Sequence, residues 1–485
     1  MSILSDSDDD FVVCSPYAAA STSSAFKIFN DPIHGHIAMT RDVLDCIDTP
    51  QFQRLRDLSQ LGSCGYVFPG ASHHRFEHSI GVSHLAGRMI SRFSETQPEL
   101  EIRPQEVRCV KLAGLCHDLG HGPFSHVFDN EFLPRRKPEL NWQHEEGSLM
   151  MFQYMIDDNH IDLDPSEIRK IKDMIVESHD LKKPQERDFL YQIVANHKNS
   201  VDVDKFDYLA RDCHNLGLKS SYDFSRLMFS CRVINNEICF HSKEVYNIYE
   251  MFHTRYSLHK QIYSHRVVKA IEYMLCDVLI AADPFLKISD AVLDPEQFMG
   301  LTDCLIKQIE TSHSQDLRPA QEIIRRMRKR DLYKFVDEVL VPPEIQANFP
   351  KVTELDISTH QGIGNILTPE DLIVHNLKID YAMKDRNPVD SIHFFSDPFE
   401  NRKSISIPKH KVSSLIPDQF QERYVRVYCR DPAKKAAAQR AFHNFLRTFR
   451  LPSGSQKLSD YLTTPTKAMP AKRRRTGDST LNSDA

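Results

Sequence analysis

The stretch VRCVKLAGLCHDLGHGP, residues 107–123, is the part of the sequence that best predicts the fold. Its first ten residues are apolar on almost every face, with two charged exceptions, and a helix of that kind is buried. The far end carries His117, Asp118 and His121, which need partners because each buried polar group left unpaired costs about 1–3 kcal/mol. The Gly-Pro pair at 122–123 then breaks the helix. We therefore predict a buried helix that delivers polar side chains to one site.

The bulk composition fits a large helical protein and disfavours several other classes. The chain has 485 residues, of which 41% are apolar and only 16 are glycine, so a sizeable core is expected and a sandwich or barrel is not. A net charge of −6 does not match broad binding to nucleic acid. We expect no signal peptide and no membrane span, since no apolar run reaches about 18 residues. The 11 cysteines form no CxxC pair, which favours reduced thiols.

Composition and hydrophobic periodicity divide the chain into four regions. Residues 1–25 are acidic and then rich in Ser and Ala, so we predict a disordered tail there. Residues 26–365 carry mostly helical periods. Over 366–452 the segments SIHFF and RYVRVYC suit short strands, and DPAKKAAAQRAFHNFLRTF suits a closing helix. Residues 453–485 are polar and form a second predicted disordered tail. The predicted fold is mainly α, a helical core with a smaller α+β C-terminal lobe.

Histidines cluster around the quoted stretch. Eight of the 24 lie between residues 73 and 144, namely His73, His74, His78, His84, His117, His121, His126 and His144. Imidazole together with carboxylate suits Fe, Mn, Zn or Ni. The pair at 117–118 can turn toward one ion from a helix end, and distant ligands must complete such a site. The best candidates are His78 and an aspartate of DVDKFDYLARD, where Asp204, Tyr208 and Arg211 or Asp212 recur at helical spacing.

Two other metal sites are disfavoured. The segment DVDKFD lacks the glycine and the final glutamate of a calcium-binding EF-hand loop. The run from His117 to His121 resembles the HExxH motif of zinc proteases with Asp in place of Glu. Asp is one methylene too short for the base role, and the glycines at 120 and 122 weaken the helix that this motif needs.

The order His78, His117-Asp118, Asp204 resembles the H…HD…D signature of the HD superfamily. Longer stretches resemble the deoxynucleotide triphosphohydrolases that join a sterile-alpha-motif domain to an HD domain. They are NDPIHGHI, DTPQFQRLR, VFPGASHHRFEHSIGV, AGLCHDLGHGPFSH, DVDKFDYLARDC and MFHTRYSLHKQIYSH. The likeness runs from about Lys27 to about Phe449. It implies an HD-type catalytic domain with allosteric elements over 26–365, and we expect no sterile-alpha-motif domain before residue 26.

The resemblance also implies roles for individual residues. The catalytic metal would be bound by His78, His117, Asp118 and Asp204. His126 would be the general acid, with Asp129 orienting or relaying to it. The phosphates would be held by Arg75, His121, Lys205 and Tyr208, with Arg255 near the triphosphate, and His121 also counts among the catalytic residues. Gln60 and Asp212 would accept hydrogen bonds from the sugar 3′-hydroxyl. Tyr263 would pack against the sugar where a ribose 2′-hydroxyl would lie, and Leu61 is the alternative residue for excluding that hydroxyl.

These residue types suit the implied reaction. A transition metal (Fe, Zn or Mn) acidifies water and polarises a phosphoryl oxygen, and Mg would accompany the substrate. Attack at the α-phosphorus would release deoxynucleoside and intact triphosphate. Histidine can protonate the leaving 5′-oxygen near neutral pH, while Arg and Lys offset the phosphate charges.

The resemblance further implies activation by GTP and a deoxynucleotide that assemble a homotetramer. The matching guanine-site residues are Lys27, Asp48, Gln53 and Arg56. Those of the second site are Val67, Phe68, Arg226, Lys243 and Asn247, with His265 and Arg266 beside them. The alternative is that Asp48 and Arg56 are surface ion-pair partners. His241 and Lys260-Gln261 depart from the arginines common in the family, which puts the strength of deoxynucleotide activation in doubt.

The predicted C-terminal tail carries two short motifs. Thr464 lies in a Thr-Pro-Thr-Lys pattern that cyclin-dependent kinases favour, and Lys472-Arg473-Arg474-Arg475 is typical of a nuclear import signal. Both motifs are also common in polar tails without such roles. Their occurrence together favours regulation by phosphorylation at Thr464 and a nuclear location.

Two other functions stay open at this point. One is an HD phosphohydrolase that acts on a different nucleotide. The other is a protein that binds single-stranded nucleic acid and keeps an inert HD core, which the full set of metal ligands and the acidic balance disfavour.

Overall fold

The computed structural model describes residues 26–176, 187–362, 364, 366–397, 403–449 and 451. The predicted tails at 1–25 and 453–485 lie outside these residues, and so do Thr464 and the basic cluster at 472–475. The predicted mainly helical fold is confirmed. None of the helices in the described ranges combines the length and the apolar composition that a membrane crossing requires.

Helices dominate the described chain. Helices α1 to α17 span, in order, Arg41–Ile47, Pro50–Gln53, Arg75–Thr96, Pro104–Cys116, Leu133–Arg136, His144–Asp158, Pro165–Ile175, Val203–Asn215, Phe224–Phe229, Val245–Leu258, Arg266–Leu286, Pro295–Phe298, Leu305–Thr311, Arg318–Arg328, Pro343–Gln346, Glu354–Ser358 and Lys435–Thr448. Two π-helical turns, Phe128–Phe132 and His259–Tyr263, adjoin α5 and α10. The closing helix predicted from the sequence is α17.

Eight short strands form three small sheets within the described residues. Strands β1 to β8 span Phe26–Asp31, Gly35–Thr40, Cys231–Ile234, Glu237–His241, Lys334–Leu340, Leu372–Asp380, Phe394–Phe395 and Gln421–Cys429. The hairpin β1–β2 is antiparallel, the second sheet has the order β3-β4-β7, and the third has the order β5-β8-β6. The strands predicted in SIHFF and RYVRVYC are β7 and β8.

Three helices position the site, and each begins with a recognisable cap. In α3, the Glu77 side chain accepts a hydrogen bond from the His74 backbone N–H at 2.7 Å. In α4, Pro104 occupies the first turn, where its missing N–H does no harm. In α8, the Asp202 side chain accepts from the Lys205 backbone N–H at 3.1 Å. Helix α3 packs against both α4 and α8, which brings the far end of α4 beside the first turn of α8.

The apolar interior of the described residues consists of one large core, a smaller core in the C-terminal part, and a small cluster of Ile234, Cys239 and Phe395. The smaller core combines β5, β6, β8, α16 and α17, with Val336 and Phe442 among its buried members. Because β5 pairs with β8, this unit begins before position 366, where the sequence texture placed the boundary. The sequence around β5 does not indicate which strand it pairs with. Its pairing with β8, far along the chain, shows that it belongs to the lobe.

The described cysteines are free thiols, and all of them except Cys304 are buried. Burial raises the pKa of Cys109 to about 11 and that of Cys231 to about 12. Such thiols stay protonated near neutral pH and react slowly.

Candidate active site

The HD pair lies in a tight turn directly after α4, as predicted. His117 caps the helix, and the buried Arg54 side chain donates to the backbone carbonyls of Leu119 at 3.2 Å and His121 at 2.9 Å. Ser148 of α6 accepts from the Gly120 N–H at 2.9 Å and donates to the His117 carbonyl at 2.6 Å. These residues form a turn rather than a helix, which removes the geometry that a zinc-protease HExxH motif needs.

Four side chains predicted as metal ligands converge at this turn. His78 Nε2 lies 3.2 Å from Asp204 Oδ1 and 3.6 Å from Asp118 Oδ2. His117 Nε2 lies 3.5 Å from Asp204 Oδ1 and 3.4 Å from Asp118 Oδ1. Ligands about 2.0–2.1 Å from one ion would be separated by roughly 3.0–3.4 Å in octahedral or tetrahedral geometry, so this spacing suits a single transition metal.

Both ring orientations present a nitrogen lone pair to the cluster. The Nδ1–H of His78 donates to Asp207 Oδ1 at 2.8 Å, and that of His117 donates to the Gly114 carbonyl at 2.9 Å. Carboxylate and carbonyl oxygens can only accept, so Nε2 is left as the donor atom toward a metal in each ring. His117 Nε2 is buried and has no hydrogen-bond partner.

The electrostatics of the cluster favour a positive charge at its centre. Burial opposes a charge on His78, yet its contacts with Asp204 and Asp207 raise its pKa to about 10. Burial likewise opposes the ionised form of Asp204, but His117 and His78 lower its pKa below the usual range. In the absence of a metal, protons on the imidazoles supply the positive charge that these carboxylates stabilise. A metal cation among the same atoms would supply that charge instead, and the four residues therefore fit a divalent transition metal.

A strained bend brings His126 to the site. Phe124 and Ser125 both adopt positive φ values, of 58° and 53°, which non-glycine residues rarely do. Asp303 stabilises the bend by accepting from the Phe124 N–H at 2.7 Å. Ser125 Oγ accepts from the Arg75 guanidinium at 2.8 Å, and the same guanidinium contacts the Asp118 carboxylate. The bend thus fixes both the predicted general acid and a predicted phosphate ligand.

Three histidines stand together beyond the metal cluster. The rings of His121 and His144 stack with centroids 3.9 Å apart, and His126 approaches both edge-on. Asp129 Oδ2 lies 3.3 Å from His144 Nδ1 and 3.8 Å from His121 Nδ1, so its carboxylate faces these two rings rather than hydrogen-bonding His126 directly. Burial first, then the charge of His144, lowers the pKa of His126 to about 4.

A cavity of about 600 Å³ opens beside these groups. Its wall brings together the predicted residues Gln60, Leu61, Arg75, His78, Asp118, His121, His126, Asp204, Lys205, Tyr208, Asp212, Arg255 and Tyr263. His117 and Asp129 do not line it and lie behind this wall. The size suits a nucleotide-like ligand, and the individual roles of these residues stay predictions.

One part of the wall is suited to a hydroxyl group. Asp212 accepts from Tyr263 Oη at 2.5 Å and from His73 Nε2 at 2.7 Å, which fixes the carboxylate and the phenol. The side-chain oxygen of Gln60 is buried and has no hydrogen-bond partner. A buried acceptor of this kind at a cavity wall is satisfied when a ligand donates to it.

Two cations predicted to lie near the phosphates, Lys205 and Arg255, have fixed partners. Lys205 Nζ lies 2.9 Å from Asp202 Oδ2, and despite burial the neighbouring carboxylates raise its pKa. Arg255 donates to the Asp380 carbonyl at 2.7 Å. Both cations line the cavity and are held in place by these contacts.

Several further residues, to which no sequence motif assigns a role, lie in or beside the site. They include Ser125, His144, Asp207, His259, Lys269, Glu272 and His375. His144 belongs to the histidine cluster that the sequence displays, so its membership was visible although its stacking on His121 was not. Asp207 follows Asp204 by nearly one helical turn, a spacing that could have identified it as a partner of the metal ligands.

The predicted guanine-site residues fall in and around β1 and the α1–α2 segment. Gln53 Oε1 accepts from Arg56 Nε at 2.7 Å, and the Arg56 guanidinium lies over the Phe76 ring at 3.5 Å. Lys27 lies on β1 over the Phe29 ring. In the described ranges no ion pair joins Asp48 to Arg56.

The residues of the predicted second site fall into two groups. Phe68 meets His265 edge-on with ring centroids 5.4 Å apart, with Val67 and Arg266 as chain neighbours. Arg226 and Asn247 instead converge on Glu244, at 2.7 and 3.1 Å, beside Lys243. Among the described residues no hydrogen bond or ring contact joins the two groups, and the second site stays a prediction.

The departures from the family pattern have defined partners. His241 Nδ1 accepts from the Lys243 backbone N–H at 3.1 Å, and Lys260 Nζ lies 2.9 Å from Glu422 Oε2. Gln261 donates to Ser257 Oγ at 2.6 Å.

Comparison with known proteins agrees with this geometry. A family model described as HD domain matches residues 75–212, and one described as HD associated region matches residues 222–356. The deoxynucleoside triphosphate triphosphohydrolase SAMHD1 homolog of Dictyostelium discoideum is 48% identical over 433 residues, covering 89% of this chain and 82% of that protein. SAMHD1 of Bos taurus is 42% identical over 466 residues (86% and 78%), and SAMHD1 of Homo sapiens is 41% identical over 487 residues (90% and 76%). The chain therefore belongs to the family of the SAMHD1 deoxynucleoside triphosphate triphosphohydrolases, within the HD-domain proteins.

Proposed function

We propose that this protein hydrolyses deoxynucleoside triphosphates to deoxynucleoside and inorganic triphosphate. The observation that carries the proposal is the composition of the cavity wall. It combines side chains that can bind a metal, the cations Lys205 and Arg255, and the Gln60 oxygen, which can accept a hydrogen bond from a ligand hydroxyl. The names of the related proteins support the choice of substrate.

The metal would be held by His78, His117, Asp118 and Asp204. A divalent transition metal such as Fe, Zn or Mn would acidify a water molecule and polarise a phosphoryl oxygen, with Mg accompanying the triphosphate. Arg75, Lys205 and Arg255 would bind the phosphate oxygens.

The reaction requires one proton at the leaving group. Water would add its oxygen to the α-phosphorus and release a proton to solvent, while the bond from phosphorus to the 5′-oxygen breaks. That oxygen would take a proton from His126, which would then regain one from solvent. The low pKa of His126 belongs to the ligand-free cavity. Triphosphate charges beside the ring would raise this pKa, because a nearby negative charge favours the protonated imidazole. Bound substrate would therefore favour the charged form of this acid.

Sugar selection would rest on Gln60, Asp212 and Tyr263. The 3′-hydroxyl of a deoxyribose can donate to the unpaired Gln60 oxygen. Tyr263 is held by its hydrogen bond to Asp212, and a rigid ring leaves little space for an added 2′-hydroxyl.

The test of this function is incubation with each of the four deoxynucleotides and with ribonucleotides, with and without GTP, followed by product analysis. We expect deoxynucleoside and intact triphosphate, and none from an Asp204→Ala variant. Release of monophosphate or of single phosphates would favour an HD phosphohydrolase on another nucleotide. Tight single-strand binding with no hydrolysis of any nucleotide would favour an inert HD core.

The same family membership supports activation by GTP and a deoxynucleotide through a homotetramer that controls deoxynucleotide pools. Lys27, Asp48, Gln53 and Arg56 would take the guanine nucleotide. The two separate groups of second-site residues would suit a site completed by another subunit. Sedimentation with and without GTP and deoxynucleotide tests this, and a constant oligomeric state would contradict it.

The tail motifs support a nuclear location and phosphorylation of Thr464 by a cyclin-dependent kinase. A phosphate adds about −1.5 to −2 charges next to Lys467. We expect Thr464→Glu to loosen the tetramer more than it harms the catalytic site. Equal tetramer fractions in wild type and variant, with no phosphate on Thr464 in dividing cells, would contradict this.

A further inference from the structure

A buried network of charged side chains lies directly behind metal ligand His78. It consists of Asp31, His34, Asp207 and Arg211, which we call the hairpin network. The side chains of Asp207 and Arg211 are fully buried, and those of His34 and Asp31 are 1% and 5% exposed. Charges so deeply buried are stable only when each is paired, because removal of one partner costs roughly 3–5 kcal/mol.

Asp207 is the centre of the network and accepts four hydrogen bonds. Its Oδ1 accepts from His78 Nδ1 and from Arg211 Nε, both at 2.8 Å. Its Oδ2 accepts from His34 Nε2 at 2.7 Å and from Arg211 at 2.8 Å. One carboxylate therefore joins a metal ligand on one oxygen to the β1–β2 hairpin on the other.

The chain makes room for this arrangement with a glycine. Gly81 lies three residues after His78 on α3, and a Cβ there would collide with the Asp207 carboxylate and lie 2.6 Å from the Arg211 guanidinium. Only glycine lets the α8 side chains approach α3 this closely.

The hairpin enters the network through its turn. Asp31 Oδ1 accepts from the backbone N–H groups of Ile33 at 2.8 Å and His34 at 2.9 Å, which fixes the turn. Its Oδ2 accepts from Arg211 at 2.8 Å. The His34 ring also packs against His84 of α3 and edge-on against Phe224 of α9, each with centroids 5.6 Å apart. The turn is thus seated among three helices with its imidazole aimed at Asp207.

We propose that docking of the β1–β2 hairpin sets the metal affinity of the site, with His34 and Asp207 as positioning residues for His78. The Asp207 carboxylate orients the His78 ring and keeps its proton on Nδ1, and His34 and Arg211 hold that carboxylate still. Loss of the His34 contact leaves Oδ2 underbonded and lets the carboxylate turn away from His78. The inference rests on the proposed function for the metal site, but not for the substrate.

The first test compares two histidines of the same hairpin. His34→Ala removes the donor to Asp207. His36→Ala removes an exposed ring whose one hydrogen bond to a described side chain is with Asn30. We measure Mn²⁺ binding to the full chain by electron paramagnetic resonance of the free ion. We expect His34→Ala to weaken binding about 10–100-fold, the usual effect of losing an outer partner of a metal ligand. His36→Ala should match wild type, and His34→Gln, which restores an N–H donor, should recover part of the loss.

Equal Mn²⁺ affinity of His34→Ala and wild type, with the same melting temperature without metal, would overturn the inference. Wild type that binds no Mn²⁺, Fe²⁺ or Zn²⁺ at this site would instead overturn the metal site of the proposed function.

A second test needs no substitution. Coupling between two sites is reciprocal, so metal bound at His78 must also stabilise the docked hairpin. We expect added Mn²⁺ to slow hydrogen exchange of the amides in 26–40 in wild type, and to leave those of β5 and β8 unchanged. An unchanged exchange rate across 26–40 at saturating metal would overturn the proposal even if the variants failed to fold.

Discussion

The His78 side of the metal cluster and its His121 side differ in how completely their polar atoms are paired. On the His78 side, both oxygens of Asp207 accept two hydrogen bonds each. On the His121 side, His121 Nδ1 and the Asp129 oxygens make no hydrogen bond with the described residues, and Asp129 instead makes looser ion-pair contacts of 3.3 Å with His144 and 3.8 Å with His121. Fully paired groups hold a shape, and unpaired groups pay a free-energy penalty that a ligand can relieve. The first side therefore holds its shape firmly, and the second side, where His121 and His126 line the cavity, is held more loosely.

The largest effect should come from the residue between the two sides. Asp204→Ala removes a carboxylate that contacts both His78 and His117. We expect loss of bound metal and a fall in activity of roughly 10³-fold or more, since a metal supplies several kcal/mol of transition-state stabilisation. Metal analysis and turnover measure this, with Asp290→Ala, which removes an exposed carboxylate outside the cavity lining, as the control. Full turnover by metal-free Asp204→Ala would remove the site assignment.

The next largest effect tests the predicted general acid, His126, on the His121 side. His126→Ala should keep metal and substrate binding but reduce kcat by about 10²–10⁴-fold, the usual contribution of a general acid. Steady-state kinetics and metal content together check this. A change confined to KM would mean that His126 only binds phosphate.

A smaller effect tests the close packing of the paired side. Gly81→Ala should lower the free energy of unfolding by about 1–3 kcal/mol, because the methyl group displaces the Asp207–Arg211 pair. The control is Gly87→Ala on the same helix, where the atoms nearest to the new methyl group belong to the Lys111 side chain, the first of them at 3.1 Å. Its expected change is within about 1 kcal/mol, with higher helix propensity in its favour. Similar denaturation midpoints for the two variants would show that the network tolerates expansion.

The smallest effect concerns the sugar. Tyr263→Ala should relax the rejection of ribonucleotides by roughly tenfold, since small differences in pocket shape discriminate by about 1–3 kcal/mol. The ratio of kcat/KM for a deoxynucleotide and its ribonucleotide measures this. An unchanged ratio would indicate that Leu61, and not Tyr263, excludes ribonucleotides.

Local patterns in the sequence predicted the parts of the site that a single element carries. Helical spacing grouped Asp204, Tyr208 and Asp212, and the apolar run before His117 predicted the buried helix α4. The contact of His34 with Asp207 joins residues 173 positions apart, and no local period encodes such a pair. Strand β5 was not predicted for the same reason. Its partner β8 lies far along the chain, and without that partner the β5 sequence resembles the helical region around it.

The burial of the thiols gives the protein a natural labelling position. Among the described cysteines only Cys304 is exposed, while the others are shielded from maleimide reagents. Cys304 directly follows Asp303, which accepts from the backbone N–H groups of Phe124 and Ser59 at 2.7 and 3.0 Å. With Cys14 replaced by serine, a fluorophore on Cys304 would therefore sit one residue from the anchor of the bend that carries His126. Its emission would allow substrate entry to be followed in real time in otherwise native enzyme.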